Sequence, residues 1–272
     1  MDQAPGNELS LEQLATRKWL EIVPLIDRLV ERAETRGEWP VLPRTALAGD
    51  NAATAPFQTT HAVMQLLNAG IDNLNGVRHL VFGRPGTEPL SAVLHQSAHF
   101  VLARGAIENL ATAIWLIGPR SRADRVERVL RWHAKNVHDQ HAATDPLGLT
   151  GGRTKAEKYA QLEELMLKAT GQPRPLGKGY RMTDVLADVD RRTGDDQHLS
   201  TLFIWQLCSG FAHARPWASL GLLEREILET DDPDILHVRM TSDLARALMA
   251  PNRAMELCQF LLKRWNALNA PL

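Results

Sequence analysis

The chain has 272 residues, 44% hydrophobic and 23% charged, which is the composition of an ordinary globular protein. Its net charge of -1 excludes a generally basic surface, so any binding of nucleic acid must come from a local patch. Cys208 and Cys258 are its only cysteines, which excludes a disulfide framework or a thiolate zinc site. The polar, acidic start MDQAPGNELSLEQ does not resemble a secretory signal, and we expect a cytoplasmic protein.

The first third of the chain predicts two helices joined by a long connection. Ser10 and Gln13 form a capping box before an amphipathic stretch that ends at Gly37. The Pro- and Ala-rich residues at about 38–58 predict an extended loop or arm. A second helix is predicted from about Thr60 to Phe82.

The most apolar stretch, HFVLARGAIENLATAIWLI at 99–117, predicts a long helix that begins at the cap Thr87. It is about long enough to cross a bilayer, but Arg104 and Glu108 lie in its middle, where each charge costs a few kcal/mol. We therefore interpret it as a buried core helix and expect no membrane partner.

The rest of the chain continues the helical pattern. Helices are predicted from the cap Ser121 to about Ala143, over 154–171, over 183–192, around 197–214, and from the cap Ser242 to the end. The period changes at about 222–241, where two short runs flank Asp231-Asp232-Pro233-Asp234 and predict a β-hairpin. The predicted fold is all-α, a single helical-bundle domain over 1–272 with seven or eight helices and this hairpin.

The stretch RVLRWHAKNVHDQH at 128–141 divides into two stripes when wound into a helix. The basic stripe consists of Arg128, Arg131, Lys135 and His138. His133 and His141 fall instead on the apolar side, with Val126, Leu130 and Val137.

The spacings Arg128 to His133 and Arg131 to His138 resemble the Arg-x4-6-His signature of the HEPN superfamily. The resemblance implies an all-α fold, a homodimer and metal-independent cleavage of RNA, with the Arg and His of both protomers at the scissile phosphate. The chemistry suits these residue types, because a guanidinium neutralises charge on phosphorus and an imidazole moves a proton.

A second stretch, WQLCSGFAHARPW at 205–217, resembles the Ser-x3-His element of some HEPN-like bacterial proteins, in Ser209 and His213. Such proteins carry an earlier Arg-x3-Glu helix, which Arg104 and Glu108 would supply. No arginine stands four to six residues before His213, so Arg215 or another helix would have to provide one.

Two histidine pairs have spacings that metal sites use, His95 with His99 and His138 with His141. HQSAH lacks the Glu of HExxH, so the metalloprotease mechanism has no general base. We interpret these histidines as core or surface residues and expect neither a metal nor another cofactor.

Two functions stay open at this point. In the first, the protein binds RNA or a nucleotide, Arg128 and Arg131 hold phosphate, and His213 or His138 serves as acid or base if cleavage occurs. The alternative is a non-catalytic, dimeric helical module that binds a small molecule or a protein partner. Its polar interior, which consists of His99, Arg104, Glu108 and His213, would then serve recognition or fold specificity.

Overall fold

A computed structural model describes residues 9–83, 92–148, 152–177, 179–194, 199–232 and 234–271. Within these ranges the chain is mostly helical, with ten α-helices and one antiparallel hairpin. The helices are α1 (Leu11–Glu34), α2 (Ala46–Thr54), α3 (Thr59–Phe82), α4 (Ala98–Ile117), α5 (Arg122–Thr144), α6 (Lys155–Thr170), α7 (Met182–Thr193), α8 (Thr201–Ala212), α9 (Pro216–Leu222) and α10 (Leu244–Leu268). A 3₁₀ turn, Asp145–Leu147, follows α5.

The prediction of seven or eight helices was too low, because α2 and α9 were missed. α2 lies within residues 38–58, which are therefore not an extended loop throughout. The Thr45 side chain accepts a hydrogen bond from the Ala48 N–H at 3.2 Å and caps this helix. A helix of 9 residues is marginal alone, and the buried Asp50 ties it to the rest of the fold.

The predicted start of α4 was wrong. Thr87 lies outside the described residues, and residues 92–97 are not helical. The Ser97 carbonyl accepts hydrogen bonds from the N–H groups of Phe100 and Val101, so the first turn begins there. His95 consequently precedes the helix, and the helical spacing assumed for His95 and His99 does not exist.

Two of the four predicted helix caps, Ser10 and Ser121, are confirmed by their hydrogen bonds. Ser10 and Gln13 form both bonds of the capping box, and Ser121 accepts from the Asp124 N–H at 3.1 Å. The cap of α10 is Asp243 rather than Ser242, since the Asp243 carboxylate accepts from the Arg246 N–H at 2.7 Å.

The predicted hairpin near the C-terminus is present. Its strands are β1 (Glu224–Leu228) and β2 (His237–Thr241), paired in register from Glu224 opposite Thr241 to Leu228 opposite His237. Pro233, in the predicted turn, lies outside the described residues.

α4 is long and apolar enough to cross a membrane by length and composition, and 67% of its most apolar window is buried inside the protein. Phe100, Ile107 and Ile114 have no exposed surface at all. This burial agrees with a core helix.

The fold divides into two compact units. Unit 1 comprises residues 1–36, 70–107 and 203–256, and unit 2 comprises residues 37–69, 108–202 and 257–272. In unit 1, Phe100 of α4 stacks on Phe211 of α8 with ring centroids 4.1 Å apart. The predicted single domain over 1–272 stays a prediction.

A hydrophobic cluster in unit 2 joins α5 to α6. Val126, Leu130 and Ala134 of α5 pack with Leu162 and Met166 of α6, and all five are fully buried. This cluster fixes one face of α5 against α6.

Candidate functional site

The apolar face of α5 holds the histidine that its spacing predicted. The ring of His133 packs against Phe57, with centroids 4.8 Å apart, and its Nε2 is buried without a hydrogen-bond partner among the described residues. Burial lowers the pKa of His133 to about 4, so the ring is neutral at pH 7. His133 therefore acts as a packing residue.

A closed ion pair lies at the N-terminal end of α5. The Arg125 guanidinium donates to both carboxylate oxygens of Asp50, at 2.5 and 2.9 Å. Its remaining nitrogen donates to the carbonyls of Pro119 and Arg120 at 3.1 and 2.7 Å. Both side chains are buried, so this pair is part of the interior of unit 2.

A second charge cluster lies on another side of the same helix, around the buried Asp188 of α7, and its arginines Arg128 and Arg192 line an open cleft. Arg128 and Arg192 each approach its carboxylate to 2.7 Å, and Arg191 approaches it to 3.3 Å. Burial raises the pKa of Asp188, but hydrogen bonds from Arg192 and Arg128 outweigh it and set the pKa at about 2. One carboxylate thus faces three guanidinium groups.

Arg128 is further oriented by Trp115 of α4. It donates to the Trp115 carbonyl at 2.8 Å, and its guanidinium lies over the indole at 5.1 Å from the centroid. A cation held over an indole in this way keeps a fixed direction.

Further arginine–carboxylate pairs occupy the next turn of α5. Arg131 pairs with Glu127 at 3.0 Å and donates to the Pro175 carbonyl at 3.3 Å. Arg174 also binds Glu127, at 2.5 Å, and binds Asp124 at 3.3 Å. These contacts hold the loop after α6 against α5.

The arginines surround a cleft of about 360 Å³ in unit 2, which we call the arginine cleft. Its lining residues are Trp115, Pro119, Arg120, Asp124, Glu127, Arg128, Arg131 and Arg192. Arg120 is exposed, and within the described part of the chain its guanidinium has no hydrogen-bond partner.

Positive charge exceeds negative charge around the arginine cleft. The six arginines in and beside it are Arg120, Arg128, Arg131, Arg174, Arg191 and Arg192, and the three carboxylates are Asp124, Glu127 and Asp188. The cleft can therefore bind an anion.

The structure brings Arg128 and Arg131 to this cleft but not the predicted histidine of α5. His138 lies two turns beyond Arg131, with its Nδ1 3.2 Å from the ammonium of Lys155. Among the described residues that line the cleft, none is a histidine.

Arg104, Ser209 and His213 of the second predicted group lie in unit 1, whereas Glu108 lies in unit 2. Arg104 donates to the Ser209 hydroxyl at 2.9 Å and lies over the Trp205 ring at 5.4 Å from the centroid, so these two predicted residues do meet. His213 and Arg215 are exposed in the turn between α8 and α9.

Two further residues of the predicted polar interior belong to different units. His99, in unit 1, has no exposed surface, and its ring packs on Phe100 with centroids 4.1 Å apart. Burial, with a smaller contribution from His95, lowers its pKa to about 4. Burial is the main cause that raises the pKa of Tyr180, and the negative charge of Glu108, in unit 2, raises it further.

Cys208 is buried in α8, and burial raises the pKa of its thiol to about 12. It is therefore no candidate for a nucleophile. Among the described residues no group of three or more His, Cys, Asp or Glu side chains could hold a metal ion.

Sequence reasoning missed Asp188, Arg192, Trp115 and Arg120. One signal was present, since Asp188 and Arg192 stand four apart in VLADVDRRT, which favours an ion pair on a helix. Trp115 gave no signal, because an aromatic residue in an apolar helix is ordinarily part of the core.

No protein-family model, curated protein or solved structure matches the chain. The resemblance to the HEPN superfamily thus rests on short motifs alone and stays a prediction.

Proposed function

We propose that the protein binds a phosphate-bearing ligand, RNA or a nucleotide, in the arginine cleft. The observation that carries this proposal is the excess of arginine over carboxylate around a cleft on α5. A guanidinium presents a planar fork of donors that matches phosphate oxygens, which makes arginine a preferred residue for phosphate recognition.

The individual side chains support a division of roles. Arg128 and Arg192 are held by Asp188 and by backbone carbonyls, so their positive charges have fixed positions beside the cleft. Arg120 is exposed and is available to close on the ligand. A rigid set of donors loses little entropy on binding, while a mobile one extends the reach of the site.

Binding is better supported than cleavage. No histidine lines the cleft among its described residues, and His138 lies about 10 Å along the helix axis from Arg131. An acid or base must come within hydrogen-bond reach of the atom that it serves.

The binding test uses a fluorescently labelled, 5′-phosphorylated short RNA titrated with the full chain. We expect Arg120→Gln and Arg131→Gln each to weaken binding about tenfold or more, because each removes a charge-assisted hydrogen bond. Arg225→Gln, an exposed arginine of β1, is the matched control and should bind as the wild type does. Equal affinities for all four proteins would refute the proposal.

Cleavage is tested separately with chelator-treated protein and a labelled RNA of mixed sequence. Products from the wild type that disappear in His138→Ala or His213→Ala would add RNA cleavage to the proposal and locate its histidine. Intact RNA throughout leaves binding as the function.

A second candidate is a non-catalytic homodimer that recognises a small molecule, and His99 favours it. The imidazole of His99 has no exposed surface and packs on Phe100, and a buried polar ring of this kind costs free energy unless a polar group binds it. Sedimentation velocity tests the dimer, and a monomer at micromolar concentration would argue against this candidate.

A further inference from the structure

A second cavity of about 340 Å³ adjoins the arginine cleft in unit 2. The two share Trp115 and Arg131, and the second is further lined by Gly179, Tyr180, Arg181, Asp184 and Val185. We call it the tyrosine cavity. Each volume alone lies in the range of small-molecule sites.

The tyrosine cavity has a different chemistry from the arginine cleft. Trp115 and Tyr180 contact each other with ring centroids 5.1 Å apart and planes tilted by 39°. Val185 is fully buried beside them, and the pair Arg181–Asp184 stands exposed among the lining residues. The cavity thus combines aromatic surface, an apolar contact, one donor group and one acceptor group.

The wall that carries Tyr180 is closely fitted to α5. Gly179 has a φ of +94°, and a Cβ there would lie 2.6 Å from the Cβ of Lys135 and 2.9 Å from the carbonyl oxygen of Arg131. Only glycine allows this approach, so the position of the Tyr180 ring beside Arg131 is built into the backbone.

We infer that the ligand is a nucleoside phosphate, with its phosphate in the arginine cleft and its base in the tyrosine cavity. This inference rests on the proposed function, since it assigns the phosphate to the same arginines. The shared residues Trp115 and Arg131 require a ligand whose dense negative charge lies next to a flat ring. A nucleobase supplies that ring, with a π face for the aromatic residues and polar edges for Arg181 and Asp184.

The experiment compares phosphate ligands with and without a base, by calorimetric titration of the full chain. The probes are inorganic phosphate, ribose 5-phosphate and adenosine 5′-monophosphate. We expect the nucleotide to bind roughly 5- to 150-fold more tightly than ribose 5-phosphate, the range that stacking of one base supplies. Equal affinities for these two probes would overturn the inference while leaving the proposed function intact, whereas failure of all three to bind would overturn both.

Tyr180→Leu should reduce the advantage of the nucleotide over ribose 5-phosphate severalfold and leave ribose 5-phosphate affinity unchanged. Tyr159→Leu is the matched control, because Tyr159 is the only other tyrosine and lines neither cavity. An unchanged ratio in a folded Tyr180→Leu protein contradicts the inference.

A measurement on the wild type alone covers the case in which the variant fails to fold. In saturation-transfer NMR, the base protons of the bound nucleotide should receive more saturation than its ribose protons. Saturation confined to the ribose would overturn the inference.

A free nucleotide and the end of an RNA chain offer the same chemistry. A 5′-phosphorylated tetranucleotide and its 5′-hydroxyl counterpart distinguish these sources, since only the first places a terminal phosphate in the cleft. Tighter binding of the phosphorylated form than of the mononucleotide assigns the RNA end, and weaker binding assigns the free nucleotide. Either supports the inference, and equal binding of both tetranucleotides contradicts it.

Discussion

Two sides of α5 place an Asp beside Arg in opposite settings. On the closed side, Asp50 and Arg125 are buried and bind each other, and Arg125 also donates to nearby carbonyls. The exposed Arg122 reaches the same Asp50 carboxylate at 3.5 Å. On the open side, Asp188 faces three arginines next to a cleft. The difference lies in the surroundings of the two carboxylates: Asp50 is fully buried, whereas the arginines Arg128 and Arg192 beside Asp188 line a cleft.

The largest loss of stability should come from removing the buried charge of Asp50. Asp50→Asn leaves the buried Arg125 charge without its counter-charge and should lower the free energy of unfolding by about 3–5 kcal/mol. Urea denaturation measures this. Asp139→Asn, on the exposed part of α5, is the control and should change the free energy of unfolding by less than about 0.5 kcal/mol. A loss below that of the control would show that the pair contributes nothing.

Acid should lower the free energy of unfolding through His133, whose ring is buried against Phe57. The unfolded chain binds a proton at the ordinary histidine pKa of 6.5, whereas the folded ring, at a pKa of about 4, does not. Stability is therefore full above about pH 6.5 and falls as the pH decreases to about 4, by up to roughly 3 kcal/mol from this residue.

His133→Phe should remove that part of the pH dependence, because phenylalanine packs against Phe57 without titrating. Denaturation at pH 7, 5.5 and 4 gives the comparison. The same experiment on His99→Phe should remove a separate part, since His99 also has a pKa of about 4. A His133→Phe curve as steep as that of the wild type would contradict the assignment.

The close approach of Gly179 to α5, on the open side, can be tested without changing a charged residue. Gly179→Ala combines a φ of +94° with a clash against the backbone of α5, and we expect a loss of about 2–3 kcal/mol. Gly177→Ala is the matched control: its φ is +56° but a Cβ there meets no atom within 4 Å, so the loss should be about 1 kcal/mol. Equal losses would mean that the approach to α5 is not tight.

The smallest effect should come from Asp188. Its folded pKa of about 2 lies below the ordinary value of 3.8, so its contribution is present above about pH 4 and disappears as the pH falls through 2. Asp188→Asn should therefore cost about 2 kcal/mol at neutral pH and flatten the stability curve between pH 4 and 2. An unaltered curve in this range would show that the arginines do not depend on this carboxylate.

Local signals in the sequence predicted the capped helices and the basic stripe. Ser10 and Ser121 act through bonds to residues three positions away, so their role is visible in the sequence. The arginine cleft, in contrast, is formed by residues that are far apart in the sequence. Arg128 meets Asp188 sixty positions later, and nothing local indicates which arginine will face which acid.

The errors have the same origin. α2 was predicted as a loop because its stability depends on Asp50, whose partner Arg125 is 75 residues away. Thr87 was chosen as the cap of α4 from local pattern alone, while the first turn begins at Ser97.

The burial of both cysteines has a practical consequence for experiments on the arginine cleft. At neutral pH a thiol with a pKa of about 12 is almost wholly protonated, and Cys258 is likewise inaccessible, so alkylating reagents should leave the folded chain unmodified. Arg120→Cys would then create a thiol at the mouth of the cleft that reacts alone. A fluorophore attached there would report ligand entry, at the roughly tenfold lower affinity that we expect of an Arg120 variant.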